Sequence, residues 1–91
     1  MGDPVVDELR ARIAIADRRL LAAVNDRLAL VDELRREKDA RGIAFVDPDQ
    51  EQRLTGALVA ANRGPLSEEG VRELVSEVLE LTKRELARRS G

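Results

Sequence analysis

The chain has 91 residues with no cysteine, no histidine, no tryptophan and no tyrosine, and Phe45 is its single aromatic residue. Without cysteine it forms no disulfide and offers no thiolate nucleophile, a composition that suits a reducing cytoplasm. Without histidine as well, neither a zinc site nor a serine–histidine relay is expected, and no cofactor or metal is called for. One aromatic leaves nothing for bases to stack on. Sixteen basic against eighteen acidic residues give a net charge of −2, so nucleic acid is not an expected partner. No apolar run approaches the ~18 residues of a membrane span, and Met1-Gly2-Asp3-Pro4 carries no apolar signal region. What hydrophobic content there is, 43% of the chain, is almost all Ala, Leu, Val and Ile. That palette suits closely packed helices and argues against a sandwich or barrel. The length fits one domain, residues 1–91, too short to enclose a large private core.

From Val5 to about Ala40 the sequence reads as one uninterrupted helix. After Pro4 it contains neither Gly nor Pro, and Asp3 and Pro4 make a helix start. Apolar or small residues recur at Val6, Leu9, Ile13, Ala16, Leu20, Val24, Val31 and Leu34, in steps of three, four or seven. The stripe position between Val24 and Val31 is Arg27, and the position after Leu34 is Lys38. Two cations therefore lie in an apolar register, where an unpaired charge is costly, and something anionic is expected to meet them. Arg10 sits one place beside Leu9 and on pattern alone reads as a solvated charge; Asp17 also neighbours the stripe. About 36 residues at ~1.5 Å each make a rod of ~54 Å, whereas a compact chain of this length has a radius of gyration of ~12 Å. Such a rod overhangs its own domain, so a second copy is expected to cover it, most simply in a two-fold dimer.

Gly42 reads as the left-handed stop of this helix. After the short apolar linker Ile43-Ala44-Phe45-Val46, a second helix starts with Asp47 as N-cap, Pro48 at N1 and Gln50 at N3 completing a capping box. It runs to about Asn62 with Leu54, Leu58 and Ala61 on one face. Glu51, three residues before Leu54, shares that face. Asn62-Arg63-Gly64-Pro65 breaks the chain. Ser67 then caps a third helix to about Arg88, with Leu66 and Val71 as a hydrophobic staple and Val71, Val75, Val78, Leu79, Thr82 and Leu86 as its inner stripe. Lys83, Arg84, Arg88 and Arg89 suit its negative end. The fold class is all-α: a three-helix chain with one very long first helix.

Each inner polar residue has a structural explanation. Arg27 can pair with Glu51, Lys38 can extend its ammonium into water, and Thr82 can hydrogen-bond its own helix. Two cations and a carboxylate facing one interior point instead to a site for a small anion. The order Leu9-Arg10-x-x-Ile13-x-x-x-Asp17-x-x-Leu20-Leu21, Asn25-Asp26-Arg27, Lys38, Gly42, Val46-Asp47-Pro48-x-x-Glu51 and Gly64-Pro65-Leu66 resembles the all-helical class of chorismate mutases. The resemblance covers nearly the whole chain. It implies an intertwined homodimer with two active sites and a small dianionic substrate, chorismate. Arg27 would bind one carboxylate, Arg10 of the other copy the second, and Lys38 a carboxylate and the ether oxygen. Asp47 and Glu51 would lie near the ring hydroxyl, and Thr82 would touch a carboxylate. Arg10 and Arg27 are seventeen residues apart, about 25 Å along a helix, so one small ligand meets both only if they come from different chains.

A Claisen rearrangement suits a chain without His or Cys, because it needs a held conformer and placed charge, not a nucleophile. Guanidinium forks match carboxylates and an ammonium matches the ether oxygen. Two positions depart from the family: Gln50 where an Arg is frequent, and Leu86 where many relatives place a Gln that donates to the ether oxygen. Glu85, one place earlier, donates only when protonated. Competing readings keep the fold and change the substrate, to isochorismate (a pyruvate lyase) or 4-amino-4-deoxychorismate. A further alternative drops catalysis altogether and makes the chain a helical dimerisation module. Small stand-alone members of the family sometimes dock on the synthase that opens the shikimate pathway, but no surface for it is legible here.

Overall fold

The computed structural model describes residues 2–90, which form three α-helices and no strand. Helix α1 spans Pro4–Ala40, α2 Pro48–Ala61 and α3 Glu68–Ser90. No helix among the described residues is long and apolar enough to cross a membrane.

Local chemistry sets each boundary. The Asp3 carboxylate accepts from the Val5 and Val6 N–H groups at 2.9 and 3.4 Å, satisfying donors that the first turn leaves open. At the other end Gly42 takes φ 67°. Ile43 N–H then reaches the Lys38 carbonyl at 2.8 Å and Gly42 N–H the Asp39 carbonyl at 3.2 Å, the paired bonds of a Schellman stop. Asp47 caps α2, its Oδ1 accepting from Gln50 N–H at 3.2 Å. The expected reciprocal half of the capping box differs. The Gln50 side-chain oxygen accepts from Arg53 Nε and Nη2 at 3.1 and 2.9 Å, a charged fork one turn on that outcompetes a backbone N–H. Asn62 closes α2 and stitches the following loop, donating to the Leu66 carbonyl at 2.7 Å and accepting from Gly64 N–H at 3.1 Å. Ser67 Oγ accepts from Gly70 N–H at 3.0 Å and opens α3. Because α3 continues to Ser90, Lys83 and Arg84 fall inside the helix, leaving Arg88 and Arg89 in its last turn.

The chain divides within α1 into two compact units, one ending at Glu33 and one beginning at Leu34. The first is a stretch of helix with little buried along it apart from Asp32. Val24, Arg27, Leu28 and Val31 are half-buried, whereas Val6, Leu9, Ile13 and Leu20 stay exposed, Ile13 and Leu20 at 59% each. Leu21 and Leu30 are exposed as well. At 3.6 residues per turn, Leu30 and Leu21 extend the apolar arc to about half the helix circumference, wider than one stripe.

In the second unit the end of α1, the linker, α2 and α3 assemble. Val71, Val75 and Leu86 are its buried apolar residues. Val78, Leu79 and Thr82 are half-buried, so the α3 stripe faces inward as expected. On α2 the inner face is Glu51, Leu54, Thr55 and Val59, with Leu58 left 42% exposed and Ala61 exposed. That rotation by about one residue could not be read from pattern, because Val59 carries the same apolar signal as Leu58. Arg35 donates to Ser90 Oγ at 2.5 Å and ties the last turns of α1 to the end of α3.

Candidate active site

Arg10 and Arg27 both lie on the first unit's stretch of α1. The helix is continuous between them, which keeps them about 25 Å apart within one chain. Arg27 is half-buried and partnered, and Arg10 is exposed. Arg10, Asp17, Leu21 and Leu28 fall on one line of the helix, in steps of seven, four and seven. Arg10 therefore borders the apolar arc.

The second unit holds Lys38, Asp47, Glu51, Thr82 and Glu85. Lys38 is half-buried in the last turn of α1 and is held at both ends. Its carbonyl closes the Schellman stop, and its ammonium donates to the Phe45 carbonyl at 3.4 Å. The apolar linker thus folds back onto the cation, which keeps further donors for a ligand. Asp47 is exposed, and one carboxylate oxygen is engaged as the α2 cap. Glu51 follows one turn later, half-buried, with Oε1 at 3.4 Å from Lys83 Nζ on α3.

Thr82 donates to the Val78 carbonyl of its own helix at 2.7 Å. Its proton is thereby committed to the backbone, the structural role expected of a half-buried threonine. Glu85 is half-buried and accepts from Arg88 one turn on, so its carboxylate is engaged as an acceptor. Leu86 is 4% exposed and belongs to the core.

Between α2 and α3 runs an open groove of about 290 Å³, lined by Pro48, Glu51, Thr55, Arg72, Val75 and Leu79 among others. Sequence reasoning missed two features of this region. The Phe45 carbonyl is backbone and carries no side-chain signal. From the sequence Lys83 reads as a helix-end charge, although its place next to inner Thr82 puts it at the edge of the inner face.

Three helices and no strand among the described residues make this an all-helical protein, with Arg10, Arg27 and Lys38 along α1 and the carboxylates Asp47 and Glu51 at the start of α2. A family model described as chorismate mutase type II matches residues 9–86, and the chain belongs to that family, one of isomerases. Two solved structures of chorismate mutase from Thermus thermophilus are similar to it. Form I is 28% identical with a TM-score of 0.82, over 85% of this chain and 96% of that one. Form II is 28% identical with a TM-score of 0.83, over 87% of this chain and 90% of that one. No curated protein sequence matches the chain significantly.

Proposed function

We propose that the chain rearranges chorismate to prephenate as an intertwined homodimer in the cytoplasm, residues 1–91 acting as one domain. In this reaction the ether C–O bond breaks while a C–C bond forms within the same molecule. No nucleophile, metal or cofactor takes part. The protein has to hold the dianion in its compact chair-like conformer and stabilise the oxygen that becomes electron-rich. Arg27 grips one carboxylate and Arg10 of the second copy grips the other. Lys38 supplies the charge at the ether oxygen, from an ammonium already oriented by the Phe45 carbonyl. Glu51 accepts from the ring hydroxyl, with Asp47 beside it. Thr82 reaches a carboxylate by turning its proton away from Val78, and Glu85 is the remaining helix-three candidate at the ether oxygen.

The observation that carries this reading is the uninterrupted α1, spanning Pro4–Ala40. It separates Arg10 from Arg27 and leaves an apolar arc open that the same face of a second copy would cover. Incubating the purified protein with chorismate and following the loss of its absorbance tests the assignment. Stable absorbance at protein concentrations where the dimer is formed would overturn it. Glu51 would accept equally well from an amine at C4, so 4-amino-4-deoxychorismate is the competing substrate and belongs in the same assay.

A further inference from the structure

Lys83 takes no part in the proposed reaction, yet its ammonium is placed differently from the charged groups paired within single helices. The pairs Arg41–Glu37, Arg72–Glu68 and Arg88–Glu85 each stay within one helix or its last turn. Lys83 instead reaches from α3 to α2, where its Nζ lies 3.4 Å from Glu51 Oε1. A second contact, 3.9 Å to Glu80 Oε1 one turn back on α3, steadies the ammonium from its own helix. Glu51 needs no such cation for helix stability, since the first turn of α2 already places it at the positive end of the dipole. Its side chain is 35% exposed and that of Lys83 42%, so the pair is not a core tie either.

We infer that Lys83 is a positioning residue for Glu51: it holds one carboxylate oxygen so that the other is presented to the ring hydroxyl, and it offsets the Glu51 charge against a dianionic substrate. The inference rests on the reading of Glu51 as the hydroxyl contact. A carboxylate left without its cation would both lose its orientation and repel the incoming dianion, so the effect belongs on substrate binding. The bond-breaking step, served by Lys38, should be touched much less. A guanidinium at the same place would keep charge and contact, whereas a methionine keeps the stem and removes both.

The test is steady-state kinetics with chorismate on the full chain for Lys83→Met, Lys83→Arg, Glu51→Gln and the double variant Glu51→Gln/Lys83→Met, each with a thermal melt. We expect Lys83→Met to raise KM by about three- to tenfold with kcat nearly unchanged, at a melting temperature close to that of the parent. Lys83→Arg should restore most of the loss. In the Glu51→Gln background the lysine change should add nothing further. If Glu51→Gln impairs turnover and Lys83→Met leaves KM as it was, the positioning role is overturned while the Glu51 reading stands. An equal KM rise from Lys83→Met in both backgrounds would also overturn it, since the lysine would then act without Glu51. If Glu51→Gln itself is kinetically silent, both the Glu51 reading and the inference fall together.

Discussion

At the scale of single residues, Lys38 carries the largest expected effect. Its ammonium donates to the Phe45 carbonyl, and in the proposed reaction that would reduce the reorganisation needed as charge develops on the ether oxygen. Lys38→Ala should lower kcat by a factor of about 10²–10³, or ~3–4 kcal/mol of transition-state stabilisation, with the helical signal retained. A loss of less than tenfold would mean that another group supplies the charge. Leu86 tests the opposite case, a residue placed for packing. Leu86→Gln would offer an amide near the inner face but bury it where a leucine is 4% exposed. We expect a stability loss of about 1–3 kcal/mol, read as a lower melting temperature, together with a higher kcat if the amide reaches the ether oxygen. A lower melting temperature with unchanged kcat would exclude that position as a donor.

At the scale of elements, the Schellman stop after α1 is both a terminator and a bracket for Lys38. Gly42 holds φ 67°, a region that costs an L-residue ~1–2 kcal/mol. Gly42→Ala should therefore destabilise the protein by about that amount, measured by denaturant unfolding, and should depress kcat more than an equally destabilising change in the Asn62 loop. Asn62→Ala is a suitable control, because it removes two hydrogen bonds far along the chain from Lys38. Equal kinetic effects from the two would show that the stop does not position the lysine. These boundaries were legible in the sequence because each rests on local chemistry: a carboxylate or hydroxyl before the helix, a proline at its first turn, a glycine after it. The inner face of α2 was less so, since Leu58 and Val59 differ in position but not in apolar character. Gln50 reads as half of a capping box because nothing in a pattern of types weighs Arg53 against a backbone N–H. Of the candidate residues of the second unit, Lys38, Glu51 and Thr82 stand out by spacing, whereas Asp47 and Glu85 are implied only by the family resemblance. The partners, the Phe45 carbonyl for Lys38 and Lys83 for Glu51, depend on how separate segments fold together, and spacing does not encode that.

At the scale of the whole molecule, exposed Val6, Leu9, Ile13 and Leu20 along α1 are the apolar surface that the proposed dimer would bury. Sedimentation should show twice the chain mass, and the melting temperature should climb with protein concentration. A helical species of one chain mass, stable on dilution, would refute the shared site. Arg10→Ala and Arg27→Ala should each be nearly inactive alone and regain activity when mixed and allowed to exchange, because one of the two sites in a mixed dimer inherits both arginines. No gain after verified exchange would place both residues in one chain's site. In the proposed dimer with shared sites, the unbroken span of α1 would also decide how defects are inherited. A chain bearing only one of these lesions is a harmless companion, since every normal chain still completes as many sites as before. A chain bearing both lesions spoils the two sites of any dimer it enters, and at equal dose it should cut the normal copy's output to about half. In that dimer one long helix would make the single lesions recessive and their combination dominant.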